Sequence, residues 1–369
     1  MHPLLNGRQR IVDDLIPIIL DCGNWWSRDY THLAAVSRAW LWHVQKRLYA
    51  LPQLTSYRSC ALLERTLACN PALASHVEGL DLRLVAGETT LTFCDTSSVR
   101  RLLSVLKLKR LGLRGEMSIH AERFLRPLMY PHQLEELIID GYSHGYHGAS
   151  TIYCSRKSAS LVWDSELFSQ FTRLRRVRLS YVELTIYRST LPDSLHLTHL
   201  SLDNVTIVDS HLSNISLMSS GSLRCLSISA RDDVDLQTHL PSLLGSCSSS
   251  LEELCLYAWG ANCKGLVFNS DAPSFPSLVE IELNGIDTDR HTLACIEQCC
   301  PKLERLSVSG RAVHVTPQEW IAFLGSGALP TLRSFSPVCA GQHGSRAWTE
   351  EYLKQVQDIC SLRTLQTRG

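Results

Sequence analysis

One short motif recurs along most of this chain: L-x-x-L-x-L, with Ile, Val or Phe sometimes standing in for Leu. It runs through Leu108-Leu111-Leu113, Leu134-Leu137-Ile139, Leu174-Val177-Leu179, Leu197-Leu200-Leu202, Leu223-Leu226-Ile228, Leu251-Leu254-Leu256, Leu278-Ile281-Leu283 and Leu303-Leu306-Val308. Weaker copies stand at Val77-Leu80-Leu82, Leu332-Phe335 and Leu362-Leu365. From Leu174 the copies begin 23, 26, 28, 27 and 25 residues apart. Alternating apolar residues predict a short strand with one buried face. One such unit cannot bury that face alone, but units stacked at a fixed period can. With 369 residues and 44% apolar content, the chain suits an array better than a single pair of layers.

This period is that of leucine-rich repeats. The predicted fold class is α/β: a leucine-rich-repeat solenoid over 77–369, a curved parallel β-sheet with outer helices, preceded by a small all-α unit. The segments between strands read as those outer helices. Thr316-Pro317-Gln318-Glu319 is a capping box with Pro at the first helical position, followed by Trp320, Phe323 and Leu324 and closed by Gly325. Thr349 with Glu350 and Glu351 opens another, carrying Leu353, Val356 and Ile359. Thr288 or Asp289 opens a third, with Leu293, Ile296 and Cys300 turned inward. The 40-residue step from Leu134 to Leu174 predicts a Gly-, Ser-, Tyr- and His-rich surface loop inserted at about 141–160.

Residues 1–52 follow a different period. Ile11, Leu15, Ile16, Ile19 and Leu20 form a helical stripe behind Asp13 and Asp14. With an aspartate as cap, Pro17 falls in the first turn, where its missing N–H matters little. Asp29 precedes a second stripe of Leu33, Val36, Trp40 and Val44. Residues 53–76 read as a helical linker.

Between the inward leucines, the intervening strand residues face the open side of the sheet. They include Arg110, Arg114, Arg176 and Arg178 in the N-terminal half, and Glu253, Tyr257, Glu280 and Glu282 in the C-terminal half. Two readings stand for each: part of a target-binding surface, or a solvated strand face.

The formal net charge of +0 gives no general attraction to nucleic acid or anionic membranes. The start lacks a signal-peptide apolar run, and no stretch approaches the length that spans a bilayer. The 14 cysteines are scattered without a framework, which suits reduced thiols in cytosol or nucleus. Cys295, Cys299 and Cys300 read as buried helix thiols. His144, His147 and Cys154 match no dense ligand spacing, so no metal or cofactor is expected. Asp287-Thr288-Asp289 reads as a helix start. Phosphate-binding, dinucleotide-binding and hydrolase motifs are absent, and no catalytic residue is nominated.

The order of these parts resembles a known family. Ile11-Val12-Asp13-Asp14-Leu15-Ile16-Pro17-Ile18-Ile19-Leu20 is similar to the opening of an F-box. Leu33-Ala34-Ala35-Val36-Ser37-Arg38-Ala39-Trp40 is similar to its later L-x-x-V-S-R-x-W segment. Leu62-Leu63 and Asn70-Pro71-Ala72-Leu73-Ala74-Ser75-His76-Val77 resemble the lead-in to the repeats of fungal-type F-box proteins with leucine-rich repeats. The resemblance covers the whole chain. It implies a non-catalytic substrate receptor of a Skp–cullin–F-box ubiquitin ligase. Its expected partners are a Skp-family adaptor with its cullin complex and an unknown protein target. The adaptor-binding residues it points to are Ile11, Leu15, Ile16, Ile19, Leu33, Val36 and Trp40. The other reading gives these residues only the core of their own module. The chain departs from the family where Ile11-Val12 replaces Leu-Pro and Asp14 replaces Glu. Pro17 and the Trp25-Trp26 pair are also unusual for the family, and the departures at Val12 and Pro17 motivate an alternative, a repeat scaffold with a degenerate F-box.

Overall fold

Every strong copy of the repeat becomes a strand, because its leucines share one buried side and its polar residues the other. The structure is a computed structural model. It describes residues 5–23, 25–84, 93–142, 159–187, 195–208, 221–230, 233–258, 267–269, 272–310, 312–336, 349–363 and 366–367. The strands are β1 (Gln53–Leu54), β2 (Gly79–Leu84), β3 (Arg110–Gly115), β4 (Glu136–Asp140), β5 (Ala159–Trp163), β6 (Arg176–Ser180), β7 (Val182–Ile186) and β8 (His199–Asp203). They continue with β9 (Thr206–Val208), β10 (Cys225–Ala230), β11 (Glu253–Ala258), β12 (Glu280–Asn284), β13 (Arg305–Ser309), β14 (Ser334–Ser336) and β15 (Gln366–Thr367).

Among the described residues, twelve strands form one sheet in the order β1-β2-β3-β4-β6-β8-β10-β11-β12-β13-β14-β15. All of its pairings are parallel. The register aligns equivalent positions into columns, for example Leu111, Leu137, Val177, Leu200, Leu226, Leu254, Ile281, Leu306 and Phe335. That column and the one two residues along are buried in a single continuous core. The other face carries mostly polar side chains, with Gly112 and Ile138 as exceptions. Adjacent strands sit ~4.8 Å apart, whereas helices need ~10 Å, so a sheet backed by helices curves with its uncovered face inward. The fold is thus an α/β solenoid, as the period predicts.

The helices behind the sheet include α4 (Tyr57–Cys69), α5 (Phe93–Val105), α6 (Asp233–Cys247), α7 (Arg290–Cys299), α8 (Pro317–Gly325) and α9 (Glu350–Leu362), numbered after three N-terminal helices given below. The helix starts are written in the sequence. Asp289, rather than Thr288, caps α7, its Oδ1 accepting the Thr292 N–H at 2.8 Å. Thr316 and Glu319 form the capping box of α8, and Thr349 caps α9. Trp320, Leu324 and Val356 are buried beneath them, and Cys295 and Cys300 lie in the same core.

Four expectations change. First, the sheet begins before Val77. The expected linker 53–76 carries β1, which pairs with β2, and α4 buries Cys60, Leu63 and Leu67 in the main core. Second, Leu362 ends α9 and is 85% exposed, so the last strand starts at Gln366 instead of following a Leu362-Leu365 copy; Leu365 lies outside the described residues. Third, a second parallel sheet, β5-β7-β9, lies just beyond the ends of the main strands. Its alternation is visible in Val182-Glu183-Leu184-Thr185-Ile186 but shares no register with the leucine motif. Fourth, Ala159 and Ser160 open β5, so the insertion ends earlier than 160. Residues 143–158, with His144, His147 and Cys154, lie outside the described residues.

The corner at the end of five of the main strands turns sharply. Gly115, Tyr181, Asn204, Gly285 and Gly310 occupy it with φ of 59°, 54°, 50°, 70° and 101°. At Gly285 a Cβ would sit 2.0 Å from the Ala258 carbonyl oxygen, so no side chain fits there.

Candidate docking and recognition surfaces

The N-terminal unit is built from α1 (Leu5–Cys22), α2 (Ser27–Ala34) and α3 (Arg38–Ala50). Two expectations fail here. The helix begins at Leu5, not at an aspartate cap, so Pro17 lies in its interior and deprives the Asp13 carbonyl of its usual partner. The second stripe is two helices rather than one. Asp29 accepts the Trp26 N–H at 2.8 Å at the start of α2, and Ser37 caps α3. Val36 is left in the turn between them.

The unit has its own small core of Ile16, Leu20 and Val44, with Tyr30, Leu33, Ala34, Ala39, Trp40 and Leu48 packed around it. This core sorts the predicted adaptor residues. Ile16 is 1% exposed and supports the surface without reaching it. Leu33 and Trp40 are half-buried against the core. Leu15, Ile19 and Val36 are open to solvent at 47%, 41% and 63%. The Ile11 side chain lies outside what is described. Ile18, Trp26, Leu41 and Trp42 are further exposed apolar side chains of this unit that the sequence did not single out. Ile18 had a signal, since it adjoins the Leu15 and Ile19 stripe.

Helix α3 ties this unit to the solenoid. Val44 sits in the head's core, while Tyr49, five residues on, packs against the solenoid core. Trp42 meets the His76 ring edge-on with centroids 6.3 Å apart, and the Glu78 N–H donates to the Ala50 carbonyl at 2.9 Å. Arg47 pairs with Asp21 of α1.

On the uncovered face of the sheet, the predicted target-facing residues fall into aligned columns. Arg110, Glu136, Arg176, His199, Cys225, Glu253, Glu280 and Arg305 form one. Arg178, Ser201, Ser227, Cys255 and Glu282 form the next, and Arg114 and Tyr257 belong to the third. In the N-terminal half, Arg110 lies 2.7 Å and Arg176 3.9 Å from the single carboxylate of Glu136. Arg178 is exposed, with no hydrogen-bond or ion-pair partner among the described residues. Arg114 is different. Asp81 at 2.9 Å and Asp140 at 3.0 Å neutralise it, so it contributes less to the field than its sequence position suggests.

The C-terminal half inverts this arrangement. Glu280 accepts from Arg305 Nε at 2.7 Å, and Glu253 lies 4.0 Å from the same guanidinium. Glu282 has no cation within ion-pair distance among the described residues, and Tyr257 lies close to it. The surplus negative charge shows in its neighbours. Burial first, then Glu282, Glu280 and Glu253, push the Cys255 thiol up to about 11. Burial and the bond to Glu253 push Cys225 up to about 12. Burial and Glu282 also raise Tyr257.

Between the halves lies a recess of about 550 Å³ whose lining includes Arg178, Tyr181, Ser201, Ser227, Ser229 and Tyr257. The small serines make its floor. Tyr181 was not anticipated; the one clue is that it fills a corner that three other repeats give to glycine.

Residues 230–319 match the family model for the leucine-rich repeats of FBD-associated F-box protein At5g56370. The match spans β11, β12 and β13, the acidic half of the face, and supports an F-box/leucine-rich-repeat family for the chain. No curated protein matches the chain.

Proposed function

We propose that this protein is the substrate-recognition subunit of a Skp–cullin–F-box ubiquitin ligase, acting in cytosol or nucleus without nucleic-acid or membrane partners. The observation that carries this reading is the apolar surface of Leu15, Ile18, Ile19 and Val36 on a helical unit with a very small core of its own. A unit of that size needs a partner surface for stability, and a Skp-family adaptor is what the F-box resemblance implies. The repeat match supports the other half, a protein-binding solenoid.

In this reading the protein performs no chemistry. It holds a target at one place and the ligase at another, and the shared helix α3 keeps the two in fixed relation. That raises the effective concentration of target lysines near a ubiquitin-charged enzyme. Affinity purification of the full chain beside a Leu15→Asp/Ile19→Asp variant tests it. Adaptor and cullin should co-purify with the wild type and be lost from the variant. A Glu280→Lys/Glu282→Lys variant should keep the adaptor and change what is captured on the repeats. Absence of any adaptor from a correctly folded wild-type chain would instead favour a scaffold with a degenerate F-box. Pro17 inside α1 is the feature that favours this second reading.

A further inference from the structure

Resting on the target-receptor half of that reading, we infer that the concave sheet recognises an extended polypeptide segment with opposite charges at its two ends. Its acidic end lies over Arg176 and Arg178. Its basic end lies over Glu253, Glu280 and Glu282, and the residues between are seated in the serine-floored recess.

The charge pattern is the first ground. Arg110 and Arg176 share one carboxylate, Glu136, and Arg178 pairs with none among the described residues, whereas Glu253 and Glu280 share one cation, Arg305, and Glu282 pairs with none. Three cations to one anion thus face three anions to one cation on the same continuous sheet. Arg114 is compensated by Asp81 and Asp140, and Asp203, whose Oδ1 accepts from the Asn204 side chain, adds one anion at the recess. Uncompensated charges of opposite sign, held on a fixed surface, favour a partner with the complementary pattern and disfavour one of uniform sign.

The floor between them is the second ground. Strands β8 and β10 present Ser201, Ser227 and Ser229 where flanking strands carry larger side chains, and the result is a cavity of about 550 Å³. Its walls are Arg178 on one side and Tyr257 on the other. Its rim includes Tyr181, held at a φ of 54° where an L side chain is strained. Such strain, on the order of 1–3 kcal/mol, persists where the surrounding structure enforces it, and it clusters at binding sites. The tyrosine ring packs against that of Tyr142, their centroids 4.9 Å apart.

Geometry sets the segment length. From β6 to β11 is three strand steps and to β12 four, or roughly 14 to 19 Å at ~4.8 Å per step. An extended chain rises ~3.3 Å per residue, so the charged ends lie about four to six residues apart.

Fluorescence anisotropy of labelled synthetic peptides on the purified full chain tests this. One peptide carries an Asp-Asp pair and a Lys-Lys pair separated by five small polar residues. The control has the same composition with the charges interleaved. The bipolar peptide should bind about tenfold tighter, and the preference should fade with added salt. Arg178→Glu should abolish the preference, and replacing the peptide's Asp pair with Lys should restore binding. Glu282→Lys should behave in the mirror sense, restored by replacing the Lys pair with Asp. Because restoration requires a folded protein, it separates recognition from misfolding. Equal binding of the interleaved peptide, or no restoration by either swap, overturns the inference. Bipolar preference in a chain that captures no adaptor upholds the inference and overturns the ligase reading alone.

Discussion

The helical head and the solenoid use apolar side chains in opposite ways. In the solenoid, leucines of successive repeats bury one another, so the core is continuous from Leu54 to Cys360 and the outward residues are mostly polar. In the head, Ile16, Leu20 and Val44 are enclosed while Leu15, Ile18, Ile19, Trp26, Val36 and Trp42 stay open. The solenoid meets its burial requirement by repetition. The head leaves part of its own unmet, which leaves a surface for a partner to cover. Helix starts do not divide the two: α7, α8 and α9 each have a side-chain acceptor at the cap, as α3 of the head has in Ser37, and α2 starts at Trp26, which has none.

The contrast is broken most severely in the solenoid. Trp320 is fully buried against Phe335, their ring centroids 5.0 Å apart. Trp320→Ala should cost about 3–5 kcal/mol of stability, read as a lowered denaturation midpoint. A change under about 1 kcal/mol, the range of substitutions away from core features, would mean that the C-terminal repeats are not part of one cooperative core.

In the head, neighbouring residues separate folding from docking. Ile16→Asp places a charge in a closed core and should unfold the helices, seen as lost helical ellipticity. Ile19→Asp should leave them folded and weaken adaptor binding by about 2–4 kcal/mol, as for a charge set into an apolar contact, measured by calorimetry. Similar behaviour of the two variants would erase the distinction between core and docking face.

Much of this was legible beforehand. The leucine columns, the caps at Asp289, Thr316 and Thr349, and the charge alternation from Arg176 to Glu282 are local patterns, and local patterns survive in one sequence. Other features depend on contacts the motif does not encode. Whether Ile16 or Ile19 faces inward depends on how α1 meets α3, because both sit on one apolar stripe. The neutralisation of Arg114 needs Asp81, 33 residues earlier, to arrive beside it. The recess exists because the serines of two repeats align, and its rim tyrosine occupies a corner that sterics assign to glycine. Pro17 misled because a proline reads as a helix boundary, although a helix can run through one where other contacts compensate.

The smallest expected effect probes the caps. Asp289 accepts the Thr292 N–H, and that bond holds its carboxyl below the usual range. Removing the acceptor in Asp289→Ala should cost about 1 kcal/mol at neutral pH, the usual value of such a cap. Because the folded carboxyl is depressed, its contribution is fully present above the unfolded value of about 3.9 and fades as pH falls through the folded value. The gap between wild type and Asp289→Ala in denaturant midpoint should therefore be open at pH 7 and narrow under acid. Asp289→Asn keeps an acceptor without the titration, so its stability should stay near wild type at pH 7 and respond less to acid. A gap as wide in acid as at neutrality would assign the loss to packing rather than to the cap.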